Sequence, residues 1–206
     1  MFGEDTYRKL IRIPGISAIL ARFKSELPFE FEHAESLFEL VHNVAQEMGF
    51  ETEQVEMLGG AALVHDSGKL LRPDIYNAPK QISDRERTYL RLHTKFGHRM
   101  IIGHGISKDI ALIADGHHEH CSDRYPRDVY SNGHDIAEER RTANQELFLM
   151  QQLLCACDYV DAQLRDRSYR AAKPLEVVTA GLKRDFRGET RVVEAVLAQN
   201  LKQMYN

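Results

Sequence analysis

Residues 63–69 read LVHDSGK, and this stretch decides the fold. A helical apolar face made of Val55, Leu58, Gly59 and Ala62 runs into a histidine and an aspartate, His65 and Asp66, which extend the same face. Burying either polar group is costly unless it finds a partner. The pair therefore predicts that other segments bring complementary groups to the same place.

Moving outward, those groups appear on successive segments. Upstream, Leu37, Leu40, Val41, Val44, Ala45 and Met48 form one helix stripe that also carries His33, and Gly49 suits its end. Downstream, a loop containing Pro73 and Pro79 leads to Ser83 and Glu86, which match a capping box. The helix they open carries Tyr89, Leu90, Phe96, Met100 and Ile101 as a stripe, with His93 inside it. A shorter helix from about Ser107 sets Ile110, Ile113 and Ala114 ahead of His117 and His118. Residues 119–135 are polar and irregular and read as a long loop. A long helix then places Leu147, Met150, Leu154, Asp158 and Asp161 on nearly one face. Pro174 opens a further helix, the last helix spans roughly Glu189 to Met204, and a short helical region precedes Pro28. No run alternates with a period of two, so the fold class is all-α.

Composition narrows the function. A chain of 206 residues, 43% hydrophobic and 28% charged, supports one sizeable core rather than two full domains. Its net charge of -4 gives no case for DNA, RNA or an anionic membrane as partner. No apolar stretch approaches the roughly 20 residues that cross a bilayer, and the acidic pair near the N-terminus is unlike a signal peptide. The three cysteines, Cys121, Cys155 and Cys157, lack zinc-finger spacing and are expected to be reduced thiols in a cytoplasmic protein.

Seven inward groups remain to be explained: His33, His65, Asp66, His93, His117, His118 and Asp158. Neutral imidazoles and carboxylates buried together satisfy one another poorly, and a metal ion resolves the conflict because both are good ligands. The set is all nitrogen and oxygen, which argues against a thiolate-type structural zinc site and for a catalytic Fe, Mn, Co or Zn. Seven candidates exceed what one ion needs, so two divalent ions are expected, with Asp66 able to bridge them. Two ions that share a hydroxide point to phosphate ester hydrolysis.

At these residues the sequence resembles the HD superfamily of metal-dependent phosphohydrolases, and within it the HD-GYP family. The similarity runs from about His33 to Leu197. It rests on His33 sixteen residues before Gly49, HDSGK at residues 65–69, HTKFG at 93–97, HHE at 117–119, and DYVDAQLRDRSYR at 158–170. The resemblance implies a five-helix HD core with added C-terminal helices, occupying residues 29–206 behind an N-terminal helical extension at 1–28. It implies hydrolysis of cyclic di-GMP to pGpG or GMP, with iron or manganese as the first expected metals and Zn, Co, Ni or Mg as alternatives. By resemblance, His33, His65, Asp66 and Asp158 hold one ion, and Asp66, His93, His117 and His118 the other. Lys69 would touch a phosphate oxygen or the attacking hydroxide, and Arg167 and Arg170 would hold substrate phosphates. A cyclic dinucleotide and a signalling protein are the partners implied.

The chain also departs from the family pattern. The segment after HHE reads HCSDRYP, so the glycine of GYP is Arg124, followed by Tyr125 and Pro126. The glutamate that some members carry four residues before the first histidine is Phe29, with Glu30 and Glu32 out of register, so two ions are expected rather than three. The altered loop keeps two other readings open: hydrolysis of another nucleotide or cyclic dinucleotide, and a binding module of low turnover. Asp161 is read as a group behind the ligands or as a partner of Lys69, and Glu119 as orienting a histidine or lying at the surface. His98, His104, His120 and His134 are expected to be non-ligands.

Overall fold

The computed structural model describes residues 3–77, 83–122, 145–165 and 171–205. Two helices, α1 (Glu4–Leu10) and α2 (Pro14–Glu26), precede the long α3 (Pro28–Glu47) and α4 (Thr52–Val64). A 3-10 turn, Ser67–Leu71, and the short α5 (Pro73–Tyr76) lead to α6 (Asp84–Leu90), α7 (His93–Gly103) and α8 (Lys108–Asp115). The long α9 (Gln145–Leu164) is followed by α10 (Leu175–Asp185) and α11 (Thr190–Tyr205). The expected all-α class holds. Among the described residues the only β pairing is an isolated bridge between Cys121 and Phe186, and no helix is long and apolar enough to cross a membrane.

The core forms because α4 and α9 are apolar on nearly all sides while their neighbours are amphipathic. In α4, Val55 and every residue from Leu58 to Val64 are buried. In α9, burial is unbroken from Met150 to Asp158. Around them α3 turns Leu37, Leu40, Val41, Val44 and Ala45 inward, and α8 contributes Ile110, Ala111, Ile113 and Ala114. Each fully buried Leu, Val or Ile contributes roughly 1.5–3 kcal/mol relative to exposure. Leu10, Ile16, Ile19, Leu20, Phe23 and Leu27, from α1, α2 and the junction after it, join the same core cluster. Pro28 opens α3 at its first position, and Gly49, with φ of 78°, ends the segment in a left-handed conformation that costs a Cβ-bearing residue energy.

Two local differences from the sequence reading matter for the site. The stripe read as one helix breaks at Arg91–Leu92 into α6 and α7. The Ser83–Glu86 capping box opens α6 as expected, but the break lets His93 begin a new helix, with its Nδ1 2.6 Å from the carbonyl oxygen of Leu90. The loop expected around Pro73 is instead the 3-10 turn and α5. That turn packs tightly on α7. A Cβ at Gly68 would overlap the His93 carbonyl oxygen and approach the Gly97 nitrogen to 2.7 Å, so glycine is what allows the HDSGK turn to seat beside His93.

Candidate metal centre

Helix ends deliver most of the site. His65 caps the C-terminus of α4 and Asp66 precedes the 3-10 turn. His93 is the first residue of α7, and His117 and His118 follow α8. His33 and Asp158 come from within α3 and α9. The seven side chains meet in three overlapping groups whose potential ligand atoms lie within 4.8 Å of one another: His33, His65 and Asp66; His65, His117 and Asp158; and His93, His117 and His118. Six of these residues are buried and His118 is half-buried.

Three of the histidines share one outer contact. The Nδ1 atoms of His65, His93 and His117 lie 2.9, 2.6 and 2.5 Å from the carbonyl oxygens of Ala62, Leu90 and Ala114, each three residues earlier. A carbonyl only accepts, so each Nδ1 carries a proton, and in the neutral form of the ring the Nε2 lone pair turns inward. The inward atoms then crowd. His93 Nε2 lies 3.2 Å from His117 Nε2 and 3.1 Å from Asp66 Oδ1. His65 Nε2 is 3.2 Å from Asp66 Oδ2 and 3.8 Å from Asp158 Oδ1. Both His65 Nε2 and Asp66 Oδ1 are buried without a hydrogen-bond partner. Lone pairs facing lone pairs, with buried acceptors left unsatisfied, is an arrangement that a cation completes. The residues present therefore fit divalent metal.

His33 is held differently. Its Nδ1 lies 2.7 Å from Asp161 Oδ2 and its Nε2 3.0 Å from Asp158 Oδ1. Asp161 is itself fixed by the Ser36 hydroxyl and by Arg165, whose Nε lies 2.9 Å from Oδ2. Of the two sequence readings of Asp161, the structure shows the group behind the histidine. Lys69 instead pairs with Asp66 Oδ2 and, at 3.0 Å, with Glu30 Oε2, and its ammonium sits 5.3 Å from the Tyr76 ring centroid. Sequence reasoning set Glu30 aside as out of register. It is buried, and its place three residues before His33 on the same helix was the available signal.

The electrostatics follow from these contacts. Burial alone would lower the His33 imidazolium, but hydrogen bonds to Asp158 and Asp161 outweigh it and raise the pKa to about 9. Burial alone would likewise push the Asp66 carboxyl up, yet the nearby His65 imidazole and the Lys69 ammonium hold it well below the usual carboxylate value. Asp158 is also pulled well down, its burial overcome first by the His33 hydrogen bond. Burial drives His117 well below the ordinary histidine value, helped by repulsion from His118, and burial takes His118 to about 3. At neutral pH His117 and His118 are uncharged and His33 is ion-paired with Asp158 and Asp161.

His98 reaches the Ala111 carbonyl, His104 caps α7, and His120 packs on Phe148 and Phe186; none of them joins the three groups. Arg167, Arg170, Tyr169, Arg124, Tyr125, Pro126 and His134 lie outside the described residues.

Known proteins resemble the chain in sequence and in fold. The chain is 26% identical over 169 residues to the cyclic di-GMP phosphodiesterase PA4108 of Pseudomonas aeruginosa, covering 81% of this chain and 38% of that protein. It is 27% identical over 179 residues to the 3'3'-cGAMP-specific phosphodiesterase 3 of Vibrio cholerae, covering 86% of this chain and 35% of that one. The chain thus spans well under half the length of these relatives. The crystal structure of the L. monocytogenes phosphodiesterase PgpH HD domain in complex with cyclic-di-AMP superposes with a TM-score of 0.62 at 17% identity, covering 92% of this chain and 97% of that one. That likeness bears on the fold alone. The family model described as HD domain matches residues 19–183, and the chain belongs to the HD domain family.

Proposed function

We propose that the chain is a phosphodiesterase of the HD-GYP type that hydrolyses a cyclic dinucleotide, with cyclic di-GMP the first substrate to test. On this reading residues 29–206 form the hydrolase domain and residues 1–28 its helical extension. The observation that carries the proposal is the inward convergence of lone pairs: His93 Nε2 and His117 Nε2 3.2 Å apart, with His65 Nε2 and Asp66 Oδ1 buried and unpartnered beside them. His33, His65, Asp66 and Asp158 would hold one divalent ion, and Asp66, His93, His117 and His118 a second. Such ions, when bound, supply Lewis acidity and a water-derived nucleophile at neutral pH.

The chain's own groups have separable tasks. The carbonyls of Ala62, Leu90 and Ala114 keep three rings in the tautomer that presents Nε2. Asp161 does the same for His33, which must lose one proton for Nε2 to ligate. Lys69 neutralises Asp66 and places a positive charge at the rim, where a phosphate oxygen would meet it. Arg167 and Arg170 remain the proposed phosphate contacts. Relatives of two kinds, cyclic di-GMP and 3'3'-cGAMP phosphodiesterases, support a cyclic dinucleotide and leave cGAMP as the competing substrate.

The test is to load purified chain with manganese or ferrous iron and incubate it with cyclic di-GMP, 3'3'-cGAMP, cyclic di-AMP and a linear dinucleotide. Release of a linear dinucleotide or mononucleotide, lost on chelation, is expected. A metal-loaded chain that leaves all three cyclic substrates intact would overturn the reading.

A further inference from the structure

Two cysteines sit where the chemistry described so far does not use them. Cys121 Sγ and Cys155 Sγ lie 3.6 Å apart, and both are free thiols. Cys155 is buried on α9, one turn before Asp158, and Cys121 is half-buried, three residues after His118. Together they line a cleft of about 210 Å³ whose wall also includes His118, Asp158 and Tyr159. Among the described residues Cys121 is the more exposed of the two sulfurs, and Cys155 is buried behind it.

Backbone hydrogen bonds fix this pairing. On one side of Cys121 the His120 carbonyl accepts from the Arg187 amide at 2.7 Å, and on the other the Ser122 amide donates to the Asp185 carbonyl at 2.8 Å. Cys121 itself bridges to Phe186. The segment is thus anchored to the end of α10 while Cys155 is anchored in α9. The third thiol, Cys157, lies two residues further along α9, is fully buried, and does not line the cleft.

We propose that Cys121 and Cys155 are an oxidation site that a peroxide, or a low-molecular-weight disulfide, converts to an intramolecular disulfide beside the metal centre. With hydrogen peroxide the steps balance. Cys121 sulfur attacks one peroxide oxygen, the O–O bond breaks, and the departing hydroxide takes the Cys121 proton as water, leaving a sulfenic acid. Cys155 sulfur then attacks Cys121 sulfur, the S–O bond breaks, and the second hydroxide leaves with the Cys155 proton as water. Two thiols give up two electrons and two protons, and one peroxide becomes two waters. The sulfurs must close from 3.6 Å to about 2.05 Å. Because both are anchored, that contraction pulls the segment carrying His118 toward the turn carrying Asp158. A shift of about 1 Å at such groups is enough to cost roughly a hundredfold in turnover.

The experiment treats the chelated 206-residue chain with equimolar peroxide, blocks residual thiols by alkylation, and maps the digest by mass spectrometry. A single intrachain link between the Cys121 and Cys155 peptides, reversed by dithiothreitol, is expected, with Cys157 alkylated only after unfolding. A main product of Cys121 sulfinic acid, a link through Cys157, or a link between chains would overturn the proposal. The coupling to the centre rests on the metal reading and is tested separately, by manganese titration of desalted oxidised and reduced chain. Affinity should fall about tenfold or more on oxidation and stay unchanged for peroxide-treated Cys121→Ser or Cys155→Ala. Equal affinity of the oxidised and reduced wild type would refute the coupling. Failure of even the reduced chain to bind manganese would count against the metal reading, while the peptide map would still decide the disulfide.

Discussion

Raising the pH of metal-free chain from 6.5 to about 9 is expected to destabilise the fold through one residue, His33. Its ring sits between Asp158 and Asp161, 3.0 and 2.7 Å away, and although burial opposes the charge, these two contacts raise its pKa from 6.5 to about 9. At about 1.4 kcal/mol per pKa unit, the shift corresponds to about 3 kcal/mol of folding stability. Between those limits the folded chain still holds the His33 proton and the unfolded chain has lost it. The folded state binds more protons, so stability falls as pH rises. The contribution is complete below pH 6.5 and gone above about 9. On the acid side the slope reverses. Burial holds His117 and His118 below the ordinary histidine value, so the unfolded chain takes up protons first as pH drops through 6.5. Urea unfolding of chelated chain, stepped across this range, should therefore show a maximum near pH 6.5. The buried thiols of Cys155 and Cys157, pushed up by burial, lose stability in the same direction at the alkaline end. His33→Gln serves as the reference: it keeps the thiols and removes the His33 slope. Saturating manganese should flatten the alkaline limb of the wild type, since a ligating His33 has already released its proton. Metal-free stability that is constant or rises between pH 6.5 and 9, or an identical fall in His33→Gln, would refute the placement of a charged His33 between two carboxylates.

Three further predictions concern single residues. Asp66→Ala removes the carboxylate that lies between the two proposed ligand sets and should abolish both metal loading, read by elemental analysis, and turnover; retained turnover would mean that the ligand assignment is wrong. Gly68→Ala forces a Cβ onto the His93 carbonyl and should cost on the order of 1–3 kcal/mol, seen as a lowered urea midpoint; an unchanged midpoint would show that the turn and α7 are not closely packed. Asp161→Asn keeps the shape but removes a charge from behind His33, so metal affinity should drop about 10–100-fold and the alkaline limb should shrink. Unaltered affinity in a competition titration would deny Asp161 its positioning role.

The parts of the site that were legible in the sequence share a physical reason. A histidine or aspartate on an apolar stripe violates the stripe, and seven violations on successive helices needed a common explanation. The helices were legible where the apolar period was uninterrupted, as in α3, α4 and α9. The break between α6 and α7 was not, because the stripe from Tyr89 to Ile101 continues across it and the turn at Arg91–Leu92 contains no glycine or proline. Glu30 was missed because register was judged only at the position four residues before His33, which the structure leaves to the exposed Phe29. The choice between two partners for Asp161 was open because Lys69 and His33 are both reachable from α9 in a linear reading. Packing decides it, by giving Lys69 to Asp66 and Glu30.

The division between helix-end and mid-helix histidines explains why His33 has a carboxylate behind its Nδ1 where His65, His93 and His117 have a backbone carbonyl. A helix that stops leaves its last carbonyls without an amide to bond. His65 and His117 stand just past the ends of α4 and α8, and His93 follows the end of α6, so each ring meets a carbonyl three residues back with acceptor capacity to spare, although that of Ala114 also takes a long bond from the His117 amide and that of Leu90 one from the Tyr76 hydroxyl. The backbone thereby fixes three tautomers with neutral acceptors, adding no charge to the cluster. His33 lies within α3, where the local carbonyls are already bonded along the helix, and its Nδ1 must use a side chain from α9. That side chain is Asp161, and its negative charge, added to that of Asp158, is what raises the His33 pKa. One cluster therefore contains two rings that burial keeps neutral, His117 and His118, and one, His33, that stays protonated until something displaces the proton. Loading a cation there should release close to one proton per chain at pH 7.5, measurable by the buffer dependence of the binding enthalpy. His33→Gln should abolish that release, and an equal release from the variant would place the exchanged proton on another residue.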